Sequence, residues 1–230
     1  MKAALVAVLG ALSLASPAAR AQRADSGAAK GEATPPASFG TLKRDDVSLT
    51  VQSQGLTIRA LPLTDDVLQT LAPDSYRATK AILDSKAREI EAIRRRLALP
   101  AVQPWLVSYF NIQPGEARFD ARGVQITSVG RDFRAREVIA VSGAITDGRL
   151  AQGRRADAIL IFHPDVALAQ PLTFTAEGQS AGDWGRIAAL LERERAAIRS
   201  RAGAARVPPR EGSVPLRPAP RSANFQAGGH

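Results

Sequence analysis

The chain has 230 residues, contains no cysteine and carries a formal charge of +9. Without cysteine it cannot form disulfides, thiolate zinc sites, a lipidated N-terminal cysteine or a cysteine nucleophile, so a packed core has to stabilise it. The charge does not indicate a nucleic-acid-binding domain, because residues 22–198 hold 23 basic and 21 acidic residues, a net of only +2.

The N-terminus has the pattern of a secretory signal peptide. A basic Met1-Lys2 precedes the apolar run 3–15, which is shorter than the ~20 residues that span a bilayer. Ala19-Arg20-Ala21 then matches a small-x-small cleavage pattern. We therefore expect a signal peptide over 1–21, cleaved to leave a periplasmic or secreted bacterial protein that is not transmembrane. Residues 22–40, rich in small residues and proline, predict a flexible leader.

Residues 41–201 are predicted to form a single globular domain. Apolar and polar residues alternate over 46–61, which predicts either a hairpin with a turn at 52–55 or one bent strand. From Thr64 the period changes to a helical one, and residues 64–99 are predicted to form a short helix and then a long amphipathic helix from Ser75.

Residues 105–177 are the longest stretch of strand-like alternation. Segments of β-branched and aromatic residues are separated by the turn-forming residues Gly, Pro and Asp at intervals of roughly ten residues. This pattern predicts an antiparallel sandwich or barrel. Residues 133–141 predict one strand. Ile159–Phe162 predicts a central strand covered on both faces. Residues 178–182 predict a hinge, and 183–201 an amphipathic helix anchored to the sheet by Trp184.

Residues 202–230 predict a disordered tail rich in proline and arginine. From Arg199 onward the chain contains six arginines and a single acidic residue, Glu211. This charge suits attraction to an anionic envelope surface. A tail without a role is the equal alternative.

The centre of the chain has this order of elements: a strand, a glycine turn and an aromatic residue, and then a loop that leads to a hydrophobic strand. The residues in this order are Phe110-Asn111, Phe119, Gly123-Val124-Gln125-Ile126, Gly130, Phe133, Leu150, Gly153 and Ala156 to Phe162. This order resembles immunoglobulin-like β-sandwich modules of exported bacterial envelope proteins. The resemblance covers about 70 of the 230 residues. It implies an immunoglobulin-like antiparallel β-sandwich for this region, from which the two predicted long helices depart. With those helices the predicted fold class is α+β, an antiparallel β-sandwich with a helical insertion before it and a C-terminal packing helix. The resemblance also implies a role in binding or scaffolding, and it transfers no site residue.

Two arginine runs and an aromatic group are the candidate ligand or partner surfaces: Arg94, Arg95, Arg96, Arg154, Arg155, Trp105 and Tyr109. Phe110 extends the aromatic group. The arginines could hold a phosphate or a sugar acid, and the alternative is that they are simply solvated. The aromatic residues could line a ligand surface, and the alternative is that they form core.

Equipment for catalysis is sparse. His163 could act as a general base with Asp165 nearby, and a carboxylate pair could come from Glu116, Asp120, Asp157 and Glu177. No nucleophile elbow, phosphate loop, zinc-binding helix motif or calcium loop is present, so we predict no cofactor, no metal and no nucleic-acid partner. We expect an exported, non-catalytic binding or structural protein, whose partners are other envelope proteins or, through the tail, an anionic surface. The alternative is an envelope glycan hydrolase using a carboxylate pair or His163.

Overall fold

The computed structural model describes residues 38–206, with Arg206 described by its backbone only. The predicted signal peptide, residues 22–37 of the predicted leader and residues 207–230 of the predicted tail lie outside the described residues. The described chain is an α+β fold with antiparallel sheets and a C-terminal helix, so the predicted fold class is confirmed at this level.

Eleven strands lie within the described residues. In order they are β1 Leu49–Ser53, β2 Leu56–Pro62, β3 Gln103–Asn111, β4 Glu116–Arg118, β5 Gln125–Ser128, β6 Arg131–Arg134, β7 Glu137–Ala140, β8 Arg149–Ala151, β9 Arg155–Phe162, β10 Leu172–Ala176 and β11 Gln179–Ala181. The large sheet has the order β1-β2-β3-β9-β7, the small sheet β11-β10-β5-β6, and β4 pairs with β8. Every strand pair is antiparallel.

Within residues 38–206, five α-helices accompany the strands: α1 Asp65–Leu68, α2 Pro73–Ser85, α3 Ala87–Arg96, α4 Ala144–Asp147 and α5 Trp184–Arg206. The predicted long helix over 75–99 is interrupted at Lys86, whose φ of −109° and ψ of 3° are not helical. The Ser85 hydroxyl donates to the Ile82 carbonyl, a side-chain bond that competes with the helical ladder and bends helices. Pro73 is the first residue of α2. A backbone N–H at that position has no acceptor within the helix, so a proline there loses no helical hydrogen bond.

Three two-residue turns share one conformation. Each places a non-glycine residue and then a glycine in the left-handed region: Gln54-Gly55, Val129-Gly130 and Glu177-Gly178. Positive φ at both positions matches the right-handed twist of the flanking strands. The third turn corrects one prediction, because residues 178–182 are not a hinge but contain β11, which pairs with β10.

The predicted strand over 133–141 is also corrected. It divides into β6 in the small sheet and β7 in the large sheet, with the crossing at Ala135-Arg136. The division follows from pairing, because Phe133 lies opposite Ile126 whereas Ile139 lies opposite Ile159. β1 and β2 are also strands of the large sheet, so the sheet region includes residues before 105 and is larger than the predicted 105–177.

The large aromatic side chains of the core lie on one face of the large sheet. Trp105 of β3 packs against Trp184 of α5 with ring centroids 6.0 Å apart, and against Phe162 at 6.2 Å. The Trp184 indole N–H donates to the Leu168 carbonyl at 2.8 Å. Nearer the end of β3, Tyr109 stacks on Phe119 at 4.3 Å. These buried aromatic rings fix α5 and the loops to the sheet.

Candidate functional site

The opposite face of the large sheet carries a row of polar side chains. Arg59 of β2 lies opposite Ser108 of β3, and Ser108 lies opposite Asp157 of β9. In the neighbouring row Phe110 lies opposite Arg155. Because side chains alternate between the two faces of a sheet, all five belong to the face that points away from Trp105.

Hydrogen bonds fix this row. The Ser108 hydroxyl donates to Oδ1 of Asp157 at 2.6 Å, and Nε of Arg155 donates to the same oxygen at 2.8 Å. A terminal nitrogen of Arg155 also donates to the Ser108 hydroxyl at 3.2 Å. On the other side of β9, the Asp157 backbone N–H donates to the Ser142 hydroxyl at 2.9 Å. The Arg155 guanidinium is therefore held in one orientation.

Phe110 lies beneath two guanidinium groups. The Cζ atoms of Arg59 and Arg155 each lie 5.2 Å from the centroid of its ring. A cation over an aromatic face is attracted by the negative charge of the ring face, by about 0.5–1 kcal/mol at an exposed site. The ring thus supports both cations close together without neutralising either.

A short 3-10 helix before β1, Arg44–Val47, closes one side of this pocket together with the residue that follows it. Arg44, Asp45 and Ser48 line it, and Asp45 accepts a hydrogen bond from Arg59 at 2.5 Å. The sheet-face pocket, lined by these three residues with Arg59, Leu61, Leu106, Ser108, Phe110 and Arg155, has a volume of about 230 Å³.

The charge of the sheet-face pocket is positive. Three guanidiniums line it, whereas only two carboxylates are near them: Asp45, which also lines the pocket, and Asp157, which is bound to Arg155. A guanidinium has five N–H donors, and the contacts above use one of Arg59 and two of Arg155. The remaining donors suit a carboxylate or a phosphate, which arginine binds with paired hydrogen bonds.

The predicted arginine run on α3 is committed to contacts within the chain. Arg94 and Arg95 pair with Glu91, and Arg94 also donates to the Leu99 carbonyl. Hydrogen bonding to Glu91 raises the pKa of Arg94, and the same bond lowers the pKa of Glu91. Arg96 pairs with Glu137 of β7 and so ties α3 to the large sheet. This run does not join the sheet-face pocket.

The predicted aromatic surface divides between the two faces of β3. Trp105 and Tyr109 are fully buried, so neither can form a ligand surface, and the core alternative describes both. Neither the Trp105 indole nitrogen nor the Tyr109 hydroxyl has a hydrogen-bond partner among the described residues. Burial raises the pKa of the Tyr109 hydroxyl, and the charges of Glu177 and Asp120 add to the effect. Phe110, half-buried, is the aromatic residue that meets the pocket.

Only one residue of the second predicted arginine run, Arg154 and Arg155, lies at the sheet-face pocket. Arg155 faces the sheet-face pocket, whereas Arg154 is exposed and its carbonyl accepts from the Asn111 backbone N–H at 3.1 Å. Arg44 and Ser108 carried no recognisable signal in the sequence, because their role depends on which strands are neighbours. Arg59 offered one hint, as the charged residue within the mostly apolar β2.

His163 lies near Asp165 without the orientation of a catalytic base. The Asp165 backbone N–H donates to Nδ1 of His163 at 3.3 Å, and Oδ2 of Asp165 lies 3.4 Å from the same nitrogen. A neutral imidazole that accepts at Nδ1 carries its proton on Nε2, so it cannot donate to the carboxylate that would orient it. None of the described residues lining the adjacent groove carries a hydroxyl nucleophile.

The four candidate acids lie in three separate places. Glu116 pairs with Arg149 at 3.7 Å, and Asp157 belongs to the sheet-face row. Glu177 and Asp120 are adjacent, since the Asp120 backbone N–H donates to Oε1 of Glu177 at 2.8 Å. Asp120 in turn accepts from the Arg122 backbone N–H. Both of these carboxylates therefore hold main-chain conformation.

Comparisons with known proteins assign no family. No family model and no curated protein matches the chain. A solved structure of a functionally unknown protein from Listeria monocytogenes EGD-e is 11% identical and covers 60% of this chain and 69% of its own, with a TM-score of 0.30. A likeness of this size does not establish a common fold. Among the described helices, none has the length and apolar character needed to cross a bilayer.

Proposed function

We propose that this chain is an exported, non-catalytic binding protein of the bacterial cell envelope whose sheet-face pocket binds a carboxylate or phosphate group. The observation that carries the proposal is the pair of guanidiniums over Phe110, each 5.2 Å from its ring centroid. The signal-peptide pattern of residues 1–21 supports export.

Pre-organisation supports a binding role. The Ser108–Asp157–Arg155 network fixes one guanidinium before any ligand arrives, so little side-chain entropy is lost on binding. A volume of about 230 Å³ suits a small anion or the charged end of a larger molecule. Binding electrostatically to exposed arginines is expected to be salt-dependent.

Calorimetric titration of the mature protein tests this proposal. The probes are inorganic phosphate and glucuronate, with glucose as the neutral match for the sugar acid. Binding of both anions and not of glucose is expected. Binding of all three alike, or of none, contradicts the proposal.

Two variants then locate the site. Arg44→Gln removes a charge from the pocket rim and breaks no described ion pair, so the fold is expected to persist. Arg155→Gln removes the guanidinium held by Asp157. Each is expected to weaken anion binding by about tenfold, equivalent to about 1.4 kcal/mol. Arg193→Gln, a change at an exposed arginine of α5, is the matched control and is expected to leave binding unchanged.

The immunoglobulin-like character of the sheet region stays part of this proposal. Two antiparallel sheets built largely from residues 105–177 support it. An immunoglobulin-like sandwich packs its sheets face to face at about 30°. An experimental structure with the sheets edge to edge would exclude that description.

The proposed partners are other envelope proteins or an anionic envelope surface reached through the basic tail. Deleting residues 207–230, which leaves α5 intact, tests the second. Reduced retention of the protein on envelope fractions supports a tail contact, and unchanged retention excludes it.

A further inference from the structure

An edge of the small sheet is open to a further strand. β6 has β5 as its strand neighbour on one side, and no described strand pairs with it on the other. Arg131, Asp132 and Arg134 are exposed, and Phe133 alone points into the core. The outer N–H and C=O groups of an edge strand can pair with another extended chain.

This edge is strongly basic. Arg131, Arg134 and Arg136 lie within six residues, and Arg131 pairs with Asp165 at 3.3 Å. In the described part of the chain neither Arg134 nor Arg136 forms an ion pair. The neighbouring Asp132 accepts a hydrogen bond from the Thr127 hydroxyl on β5 at 2.7 Å. Two guanidiniums therefore remain to attract an acidic ligand.

A groove of about 630 Å³ runs beside the edge. Its lining includes the three arginines with Gln125, Phe133 and His163. The His163 ring packs nearly parallel to Phe133, with centroids 6.4 Å apart and 21° between planes, and Arg131 lies over the same ring at 5.2 Å. The volume is within the range of ligand-binding clefts, about 300–1,000 Å³.

We infer that β6 binds an extended, acidic segment of a partner protein, which adds to the small sheet as a fifth strand. Main-chain hydrogen bonds to the open edge provide affinity, and acidic side chains facing Arg134 and Arg136 provide specificity. A second copy of this chain is not the occupant that the charge favours, because two β6 strands would bring the same arginines together. This site is separate from the sheet-face pocket and does not depend on it.

A pair of synthetic peptides tests the inference with the full mature protein. A capped ten-residue peptide of alternating Glu and Val is the probe, and its Lys-Val counterpart controls for strand propensity. Fluorescence anisotropy is expected to show binding of the acidic peptide alone. Hydrogen exchange is expected to slow at the amides of β6. Equal binding of both peptides overturns the inference.

A third peptide separates strand addition from simple charge attraction. N-methylation of alternate residues in the Glu-Val peptide keeps its charge and removes half of its backbone donors. Strand addition predicts at least about tenfold weaker binding, because main-chain hydrogen bonds are lost. Undiminished binding overturns the inference.

Protein variants complete the test. Arg134→Gln with Arg136→Gln is expected to weaken the acidic peptide about fivefold, since two exposed ion pairs are lost. Arg118→Gln, at an exposed arginine of β4, is the matched control. Arg134→Glu with Arg136→Glu is expected to transfer binding to the Lys-Val peptide, a gain that misfolding cannot produce. Failure of both changes overturns the inference.

Discussion

Ser108 and Asp157 are 49 residues apart in the chain, yet their side chains share a 2.6 Å hydrogen bond across the β3–β9 pair. The same Asp157 oxygen accepts from Arg155, so one carboxylate holds both a hydroxyl and a guanidinium of the sheet-face pocket. This contact links the stability of the large sheet to the geometry of the proposed site.

Asp157→Asn is therefore expected to lower the free energy of unfolding by about 1–2 kcal/mol, because charge-assisted hydrogen bonds are lost at a side chain that is only 17% exposed. Urea denaturation of the variant measures this change. Asp147→Asn, at an exposed position, is the matched control and should remain within about 0.5 kcal/mol of the natural protein. Equal losses in the two variants would contradict the assigned role.

Trp184 is expected to be the residue that attaches α5 to the sheet. Trp184→Ala removes its packing on Trp105 and the hydrogen bond to Leu168, and a loss of about 3–5 kcal/mol is expected. Trp184→Phe keeps a ring and should cost less. Denaturation monitored by the remaining tryptophan measures both. Ile112→Ala, at a side chain that is 62% exposed, is the control expected to be nearly neutral.

Val129 is expected to be a poor residue for its turn. Its φ of 51° lies in the left-handed region, which a β-branched side chain tolerates badly, and its side chain is 65% exposed. Val129→Asn should raise the free energy of unfolding by about 1 kcal/mol, since asparagine suits this position of a two-residue hairpin.

The adjacent glycine provides the opposite change. Gly130 has φ of 69°, and an added Cβ would have no atom within 4 Å, so the cost of Gly130→Ala is that of the backbone alone. A loss of about 1 kcal/mol is expected. If both substitutions leave thermal unfolding unchanged, the turn does not have this conformation.

Tyr109 should make the fold sensitive to strong alkali. Its folded pKa is raised by burial, whereas in the unfolded chain the phenol ionises near its ordinary value of about 10. Below pH 10 both states keep the proton and stability is unaffected. Above pH 10 the unfolded state loses its proton first, so stability falls as pH rises.

Only one other tyrosine is present, so Tyr76→Phe isolates this group. In that variant the absorbance of the phenolate at alkaline pH is expected to appear together with unfolding rather than before it. Tyr109→Phe should remove this part of the alkaline loss of stability. Ionisation of Tyr109 in the fully folded protein would contradict its burial.

Export predicts a defined mature N-terminus. When the chain is expressed with a functional secretion system, mass spectrometry of the soluble product should give a polypeptide that begins at Gln22. Ala19→Arg with Ala21→Arg should block cleavage, because small residues are required at both positions. Efficient processing of that double variant would exclude the assigned cleavage site.

Local chemistry accounts for what could be predicted. The alternation over 46–61 indicated strands, and in β1 it corresponds to burial of one side. β2 is buried on both sides except at Arg59, which is partly exposed. The stripe on α5 and the anchoring role of Trp184 followed from helical spacing. The apolar run in β9 indicated a strand covered on both faces, and Ile159 to Phe162 are fully buried.

Long-range pairing accounts for what could not. The sequence indicated one strand over 133–141, but the crossing between sheets depends on which partners Phe133 and Ile139 find. The hinge predicted at 178–182 was wrong because a Glu-Gly turn can adopt positive φ and return the chain as β11.

The amino-acid sequence alone determined the class of the protein: cysteine-free, with an antiparallel α+β fold and a helix after the sheets. These properties depend on composition and on periods of two and 3.6 residues, which short segments express by themselves. Only the tertiary structure decided that Arg59, Ser108, Phe110 and Arg155 meet in one pocket and that Trp105 and Tyr109 do not. Strand order and register set those neighbours, and a shift of one residue would move every side chain to the other face.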